Sequence, residues 1–259
     1  MKNRIPSLSF SLSCLAIAIV FASAAGSALF AAPPEYAEAV KLYRAGQYEQ
    51  SLELIRSVFD ANKGSLELRM LAAANYHRQG NVDSAMAHML YAMKEHPDQP
   101  GPALYMATLQ REKGATAKAL EMMRRTAGKF PDEHWVRYEL AATFLEQKKY
   151  ADARRQVEAI IAKNPNFFPA IYLDGLIYML EGSYETADFR FKNALRIKMT
   201  DKEWTKRLYN NLGIVNERLA EANPAQKEEK LNLARQYYRK AQELDGEYAV
   251  AKSNLDRID

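Results

Sequence analysis

Histidine, cysteine and carboxylate side chains are the groups of this chain that bind metals or transfer protons, so their spacing is the first test for catalysis. The four histidines show none of the spacings of metal ligands: His77, His88, His96 and His134. Cys14 is the only cysteine and lies in an apolar segment near the N-terminus. The sequence therefore predicts no metal site and no bound cofactor.

Motifs for phosphate binding and nucleophilic catalysis are also absent from the sequence. It contains no glycine-rich phosphate loop and no Gly-X-Ser-X-Gly elbow. Carboxylates are plentiful, but they alternate with basic residues at helical spacing, as in Lys227–Lys230, and this pattern is typical of solvated helix faces. We therefore predict that the protein is not an enzyme and that its function is binding.

Glycines mark the elements that would position a binding site. Four of them are separated by 34 residues or by twice that interval: Gly46, Gly80, Gly114 and Gly182. Alanines and prolines follow the same interval: Ala85, Ala119, Ala153 and Ala187, and Pro97, Pro131 and Pro165. Lys148 occupies the position where a glycine is missing. A period of this length, with helical patterning between the marks, is typical of solenoids built from pairs of helices.

Small residues predict that the two helices of each unit approach closely. On the first helices these are Ala73, Ala107, Ala141, Gly175 and Gly213. Bulky side chains on the second helices fill the space between them: Met89, Met123, Phe191 and Tyr238. The glycines of the lattice are expected at the ends of first helices, where a left-handed backbone is often needed. Lys148 is expected to be strained there or to require a different cap.

The pattern resembles the tetratricopeptide repeat. In the second unit the favoured residue types of that family stand in register: Ala72, Ala73, Tyr76, Gly80, Ala85, Met89, Ala92 and Pro97. The resemblance implies an all-α fold, a right-handed α-solenoid of about six helix-turn-helix repeats with a C-terminal half-repeat. The units span about 32–65, 66–99, 100–133, 134–167, 168–201 and 206–248, the last with an insertion, and the half-unit spans 249–259.

Two units depart from the repeat. Glu35 and Glu38 replace apolar residues in the first unit and predict a polar capping repeat. In the sixth unit the pattern resumes late, after Asn223-Pro224, which predicts a turn between two lengthened helices. We interpret this hairpin as a variant of the capping unit; the alternative is a docking element.

The resemblance also implies a binding groove, because the first helices of tetratricopeptide arrays line a concave surface. The residues in the corresponding register are Tyr36, Tyr43, Met70, His77, Leu104, Arg111, Trp135, Tyr138, Tyr172 and Met179. Trp, Tyr, Met and Arg are enriched at binding hot spots. Three others in this register are predicted to pack between repeats instead: Ala142, Leu145 and Leu176.

The N-terminus predicts export. Lys2 and Arg4 precede an uncharged stretch that reaches Pro34 and contains the small-residue pattern Ala22-Ser23-Ala24. These features predict a signal peptide over residues 1–32, with the array at 33–259. The alternatives are a retained membrane anchor and a lipid on Cys14, although the residues before Cys14 do not resemble a lipidation box.

The charge and the export prediction limit the partners. The formal net charge of +4 falls to +2 without Lys2 and Arg4, which is too small for a nucleic-acid footprint. The sequence has no Asn-X-Ser/Thr sequon, which favours a bacterial envelope over a eukaryotic secretory route. The expected location is therefore periplasmic or extracellular, with membrane attachment only through a retained leader or a lipid.

Three functions are compatible with these observations. The first is a periplasmic adaptor that binds a segment of another envelope protein in the groove and supports assembly of a membrane or cell-wall complex. The second is a receptor for a small hydrophobic or carboxylated ligand, associated with a transport system. The third is a structural protein that associates with itself. The sequence favours the first.

Overall fold

The computed structural model describes residues 34–62, 65–197 and 201–258. These residues form thirteen α-helices and two short 3-10 helices, and they include no β-strand. The predicted signal peptide, residues 1–32, lies outside the described residues, and so does Cys14.

The helices are numbered in chain order. They are α1 (Pro34–Arg44), α2 (Tyr48–Phe59), α3 (Leu66–Arg78), α4 (Val82–Glu95), α5 (Gly101–Glu112), α6 (Thr116–Lys129), α7 (His134–Glu146), α8 (Tyr150–Lys163), α9 (Phe168–Glu181), α10 (Tyr184–Leu195), α11 (Lys202–Ala222), α12 (Lys227–Leu244) and α13 (Ala249–Ile258). The 3-10 helices span Asp60–Asn62 and Pro224–Gln226.

The chain divides into two compact units, of which the first ends at Thr143 and the second begins at Phe144. Within the first unit, α1 packs against α2, α3 against α4 and α5 against α6, and each pair contacts the next through α2–α3 and α4–α5. Within the second unit, every helix from α8 to α12 contacts its successor. Sequential packing of neighbouring helix pairs is the architecture of an α-solenoid, and it confirms the predicted all-α fold.

The glycine lattice lies at the ends of first helices, as predicted. Gly46, Gly80, Gly114 and Gly182 have φ values of 77°, 78°, 76° and 84°. Lys148 has a φ of 57° and is the one residue other than glycine with positive φ in the described part of the chain. The turn therefore keeps its left-handed form at Lys148, although a side chain makes that conformation unfavourable.

The second unit shows how closely the paired helices approach. A Cβ added at Gly213 would lie 2.3 Å from a ring carbon of Tyr238, on the partner helix α12. Tyr238 is fully buried, and its hydroxyl donates a hydrogen bond of 2.7 Å to Glu217 Oε1. Arg257 of α13 also contacts Glu217, with 2.8 Å between Nη2 and Oε2. One carboxylate therefore joins the last three helices.

The sixth helix pair is elongated, as the Asn223-Pro224 turn predicts. Helix α11 has 21 residues and α12 has 18, whereas α9 has 14. The turn between α11 and α12 contains the 3-10 helix Pro224–Gln226, and residues 221–229 are all exposed. The additional length therefore ends in a solvated tip.

Candidate binding surface

Most of the predicted groove residues are buried. Seven of the ten are at most 7% exposed: Tyr43, Met70, Leu104, Arg111, Tyr138, Tyr172 and Met179. Tyr36, His77 and Trp135 are partly exposed. Ala142, Leu145 and Leu176, which were predicted to pack between repeats, are buried as well. The structure thus places Tyr138 and Tyr172 in the interior and not on an open surface; a binding role for the set stays a prediction.

Contacts between successive first helices explain part of this burial in the first unit. Arg78 Nε of α3 donates a hydrogen bond of 3.3 Å to the Tyr43 hydroxyl of α1. His77 Nδ1 lies 3.0 Å from the Tyr105 hydroxyl of α5, and His77 Nε2 lies 2.6 Å from Glu112 Oε2. These side chains therefore connect one repeat to the next.

A buried ion pair makes the next connection. Arg111 Nη1 of α5 lies 2.5 Å from Glu139 Oε2 and donates a second hydrogen bond of 3.1 Å to Thr143 Oγ1, both on α7. The side chains of Arg111 and Glu139 are 2% and 0% exposed. Burial raises the pKa of Glu139, and the adjacent guanidinium opposes that rise. Sequence reasoning missed this pairing, although a glutamate in the apolar stretch Tyr138–Leu145 was a signal for it.

Aromatic contacts surround Tyr138 and Tyr172. The Trp135 and Tyr138 rings meet edge to face, with centroids 5.8 Å apart. In the second unit, Tyr172 stacks on Phe168 at 6.1 Å and meets Trp204 edge to face at 5.2 Å. Asn211 Nδ2 donates a hydrogen bond of 2.8 Å to the Tyr172 hydroxyl. Tyr172 thus has partners for both its ring and its hydroxyl.

Tyr36 has a different environment. Its side chain is partly exposed, but burial of the phenol, assisted by the charge of Glu67, raises the pKa of Tyr36 to about 12. The hydroxyl oxygen itself is buried and has no hydrogen-bond partner among the described residues, so only the ring of Tyr36 is open to a contact.

Exposed apolar side chains occur elsewhere, and sequence reasoning did not identify them. Leu90 and Tyr91 on α4 are 66% and 39% exposed, Phe189 on α10 is 57% exposed and Val250 on α13 is 38% exposed. The guanidinium of Arg69 lies 3.4 Å from the Tyr91 ring centroid. The repeat register contained a signal for this exposure. The residues equivalent to Leu90 and Tyr91 in the third repeat are Arg124 and Arg125, and charged residues at these positions indicate a solvent-facing side of the helix.

The described residues also bear on metal binding and membrane insertion. Within residues 34–62, 65–197 and 201–258, no group of three or more His, Cys, Asp or Glu side chains is placed to hold a metal ion. Over the same ranges, no helix combines the length and apolar character needed to cross a bilayer.

Stacked helix pairs, left-handed turns at a fixed interval and small residues facing bulky ones define a helical-repeat protein. Two tetratricopeptide repeat family models match the sequence, one over residues 36–100 and the other over residues 110–173. The chain is a tetratricopeptide repeat protein. A comparison with curated protein sequences gives no significant match.

Three solved structures with the same fold align with this chain over nearly all of their own length. A tetratricopeptide repeat protein from Parabacteroides merdae is 16% identical, with a TM-score of 0.69 over 96% of this chain and 95% of that one. A thermophilic one from Thermus thermophilus is 20% identical, with a TM-score of 0.60 over 72% and 94%. PilW, described as a type IV pilus biogenesis factor, is 16% identical, with a TM-score of 0.65 over 86% and 96%. At these identities the similarity concerns the fold.

Proposed function

We propose that this protein is an exported adaptor, without catalytic activity, that binds a segment of another envelope protein along the first helices of residues 34–143. The observation that carries the proposal is the lateral connection of these helices by polar contacts. Tyr43–Arg78, His77–Tyr105 and Arg111–Glu139 join α1, α3, α5 and α7 in turn. A row of helices with fixed spacing is a surface on which a partner segment can meet several repeats at once.

Three residues on these helices supply contacts for such a segment. Tyr36, His77 and Trp135 keep partial exposure and share the register that faces a partner in tetratricopeptide arrays. Tyrosine and tryptophan bury a large area at a small cost in side-chain entropy. The Tyr36 hydroxyl is buried, and both ring nitrogens of His77 are occupied by Tyr105 and Glu112, so the exposed parts of the three side chains are ring surfaces. We therefore expect a partner segment with apolar side chains.

The envelope location rests on the predicted leader over residues 1–32. The fold shared with PilW, a pilus biogenesis factor, is compatible with a role in assembling an envelope structure. A fusion of residues 1–32 to an enzyme that is active only outside the cytoplasm tests the location. An inactive fusion, together with intact reporter in the cytosol, would contradict export.

Photo-crosslinking tests the binding surface. We would place p-benzoylphenylalanine at Trp135, and at Gln50 and Ala117, which are exposed on the second helices α2 and α6. The proposal expects a crosslinked envelope protein from position 135 and none from positions 50 and 117. The substitution Trp135→Ala tests the same contact without a crosslinking residue. Tyr138→Ala is unsuitable, because Tyr138 is 1% exposed and its loss would disturb the core.

The outcomes are distinct. Loss of a purified partner in Trp135→Ala, with unchanged circular dichroism, supports the first-helix surface. Equal crosslinking from the second-helix positions would overturn it, and so would equal capture by Trp135→Ala.

A further inference from the structure

Leu90 and Tyr91 are the most exposed large apolar side chains among the described residues up to Thr143. Both lie on α4, with exposed fractions of 66% and 39%. Apolar residues scattered singly are ordinary on protein surfaces, whereas contiguous ones mark interaction sites. Consecutive helix residues point about 100° apart, but both of these are exposed, so they are neighbours on the solvent-facing side of α4 and form one apolar area.

The ring of Tyr91 is held in place. The Arg69 guanidinium lies 3.4 Å from the Tyr91 ring centroid and 4.8 Å from that of Phe59, so it is held between two aromatic rings. Arg69 is only 7% exposed, which leaves little freedom to the stack. A fixed ring loses less entropy on binding than a mobile one.

Helix α6 runs beside α4 in the same direction, because contacts link the turn before α6 to the start of α4, and the end of α6 to the turn after α4. Near the start, Lys113 Nζ lies 2.5 Å from Asp83 Oδ1. Near the end, Lys129 Nζ donates a hydrogen bond to the carbonyl of Pro97. Residues one repeat apart on the two helices are therefore at the same height.

Two arginines lie at the height of the apolar pair. Arg124 and Arg125 are the equivalents of Leu90 and Tyr91 in the next repeat, and both are exposed. The side chain of Arg125 is 79% exposed, although it contacts Glu121. Helix α6 as a whole carries four basic residues and one acidic residue. An apolar pair thus lies beside a basic helix face.

We propose that Leu90, Tyr91, Arg124 and Arg125, here called the Leu90 surface, dock on an anionic lipid bilayer. Leu90 and Tyr91 enter the headgroup region, where tyrosine is favoured, and the arginines contact the lipid phosphates. This function is additional to the adaptor role and does not depend on it. It concerns α4 and α6, whereas the proposed partner site concerns the first helices.

The size and charge of the patch favour lipid over a protein partner. A stable protein–protein interface buries about 1,200–2,000 Å² in total, far more than one leucine and one tyrosine provide. Charged side chains of both signs flank the pair on α4: Lys94, whose side chain is 82% exposed, lies 3.9 Å from Glu95, and the excess of basic charge is that of α6, which carries Arg124 and Arg125. A bilayer surface needs only shallow apolar insertion and nearby basic residues, because each lysine or arginine near anionic lipid adds to the affinity.

A fluorescent reporter at position 90 tests the proposal in the full chain. Cys14 is the only cysteine, so Cys14→Ser allows single labelling of Leu90→Cys with an environment-sensitive dye. The matched control is Phe189→Cys, because Phe189 is similarly exposed, at 57%, but belongs to the second unit. Vesicles of phosphatidylglycerol and phosphatidylcholine in equal amounts are expected to shift the emission of the dye at position 90 to the blue. The dye at position 189 is expected not to respond.

A second experiment tests whether vesicle binding depends on the charges of Arg124 and Arg125. In the labelled protein, Arg124→Gln with Arg125→Gln is expected to raise the lipid concentration for half-maximal signal about 30-fold. The control double variant, Arg239→Gln with Lys240→Gln, removes the same charge from exposed positions on α12. It is expected to leave the titration unchanged.

Several outcomes would overturn the proposal. These are no response at position 90, an equal response to pure phosphatidylcholine vesicles, an equal response at position 189, or equal effects of the two double variants. A response at position 90 to an acidic, leucine-rich peptide but not to vesicles would assign the surface to a protein partner instead. None of these results affects crosslinking from Trp135, so the two proposals fail independently.

Discussion

A Cβ atom added at Gly175 would lie 2.5 Å from two ring carbons of Phe191, the fully buried aromatic residue on the paired helix. The first helix α9 approaches α10 so closely that its backbone packs on the ring. In the second and third repeats alanine stands at the position of Gly175, and methionine stands opposite, as in Ala107 and Met123. Glycine thus stands opposite the bulky, rigid phenylalanine, and alanine stands opposite the more flexible methionine.

Gly175→Ala is expected to destabilise the protein by about 2–3 kcal/mol, because the added methyl group overpacks the core. Gly175→Ala with Phe191→Met reproduces the residue pair of earlier repeats and is expected to recover much of the loss. Gly128→Ala is the control: its Cβ would meet no atom within 4 Å, and helix α6 should gain about 0.5–1 kcal/mol. Urea denaturation measures all three, and an unchanged midpoint for Gly175→Ala would show that the ring can move aside.

Lys148→Gly is expected to stabilise the protein by about 0.5–1 kcal/mol. Lys148 is exposed and has a φ of 57°, a conformation that costs a residue with a side chain about 1–2 kcal/mol. The gain is smaller than this cost because glycine also makes the unfolded chain more flexible. The reverse change, Gly114→Ala at a φ of 76°, should destabilise by about 1 kcal/mol. Thermal melts of both variants test the pair, and shifts of the same sign would contradict the argument.

Arg111→Met is expected to cost about 3–5 kcal/mol, because it leaves the carboxylate of Glu139 buried without its cation. Arg111→Met with Glu139→Leu removes both charges and should be close to the parent in stability. If the double variant is as unstable as the single one, the loss comes from packing and not from charge.

The single variant Arg111→Met should also respond to acid. Burial raises the pKa of Glu139, and the charge of Arg111 opposes that rise. In Arg111→Met this opposition is lost. The folded form then holds a proton that the unfolded form releases above its ordinary pKa of 4.5. Its stability relative to the parent is therefore expected to increase as the pH falls from 7 to 5, measured by urea denaturation at each pH.

His88 is expected to make the protein less stable in mild acid. Burial lowers its pKa below the ordinary value of 6.5, and the charge of Arg69 acts in the same direction. The ring stacks on Tyr76 at a centroid distance of 5.5 Å, which leaves a protonated imidazole poorly solvated. Below about pH 6.5 the unfolded chain binds the proton first, so the free energy of unfolding falls as the pH is lowered.

His88→Gln removes this titration and provides the control. Its stability should change less than that of the parent between pH 7.5 and about pH 5.5, in urea denaturation at constant ionic strength. Parallel pH profiles for the two proteins would mean that the acid sensitivity has another origin.

Backbone features were predictable from the sequence because single residues impose them. The glycine lattice and the Asn223-Pro224 turn depend on local conformation, and the structure has helix ends at both. The close approach at Gly213 was predictable for the same reason, since only a residue without a side chain fits against Tyr238. Residue type and interval therefore determined the helix pairs and their order along the chain.

The tertiary structure decided which residues are open to a partner. The register of Tyr138 and Arg111 suggested a groove, but exposure depends on what neighbouring helices bring against a side chain, and Arg111 meets Glu139. For the same reason, Leu90 and Tyr91 read as ordinary helix residues, and only packing left them outside the core. A repeat pattern determines that a helix has a buried face, whereas long-range contacts determine where that face ends.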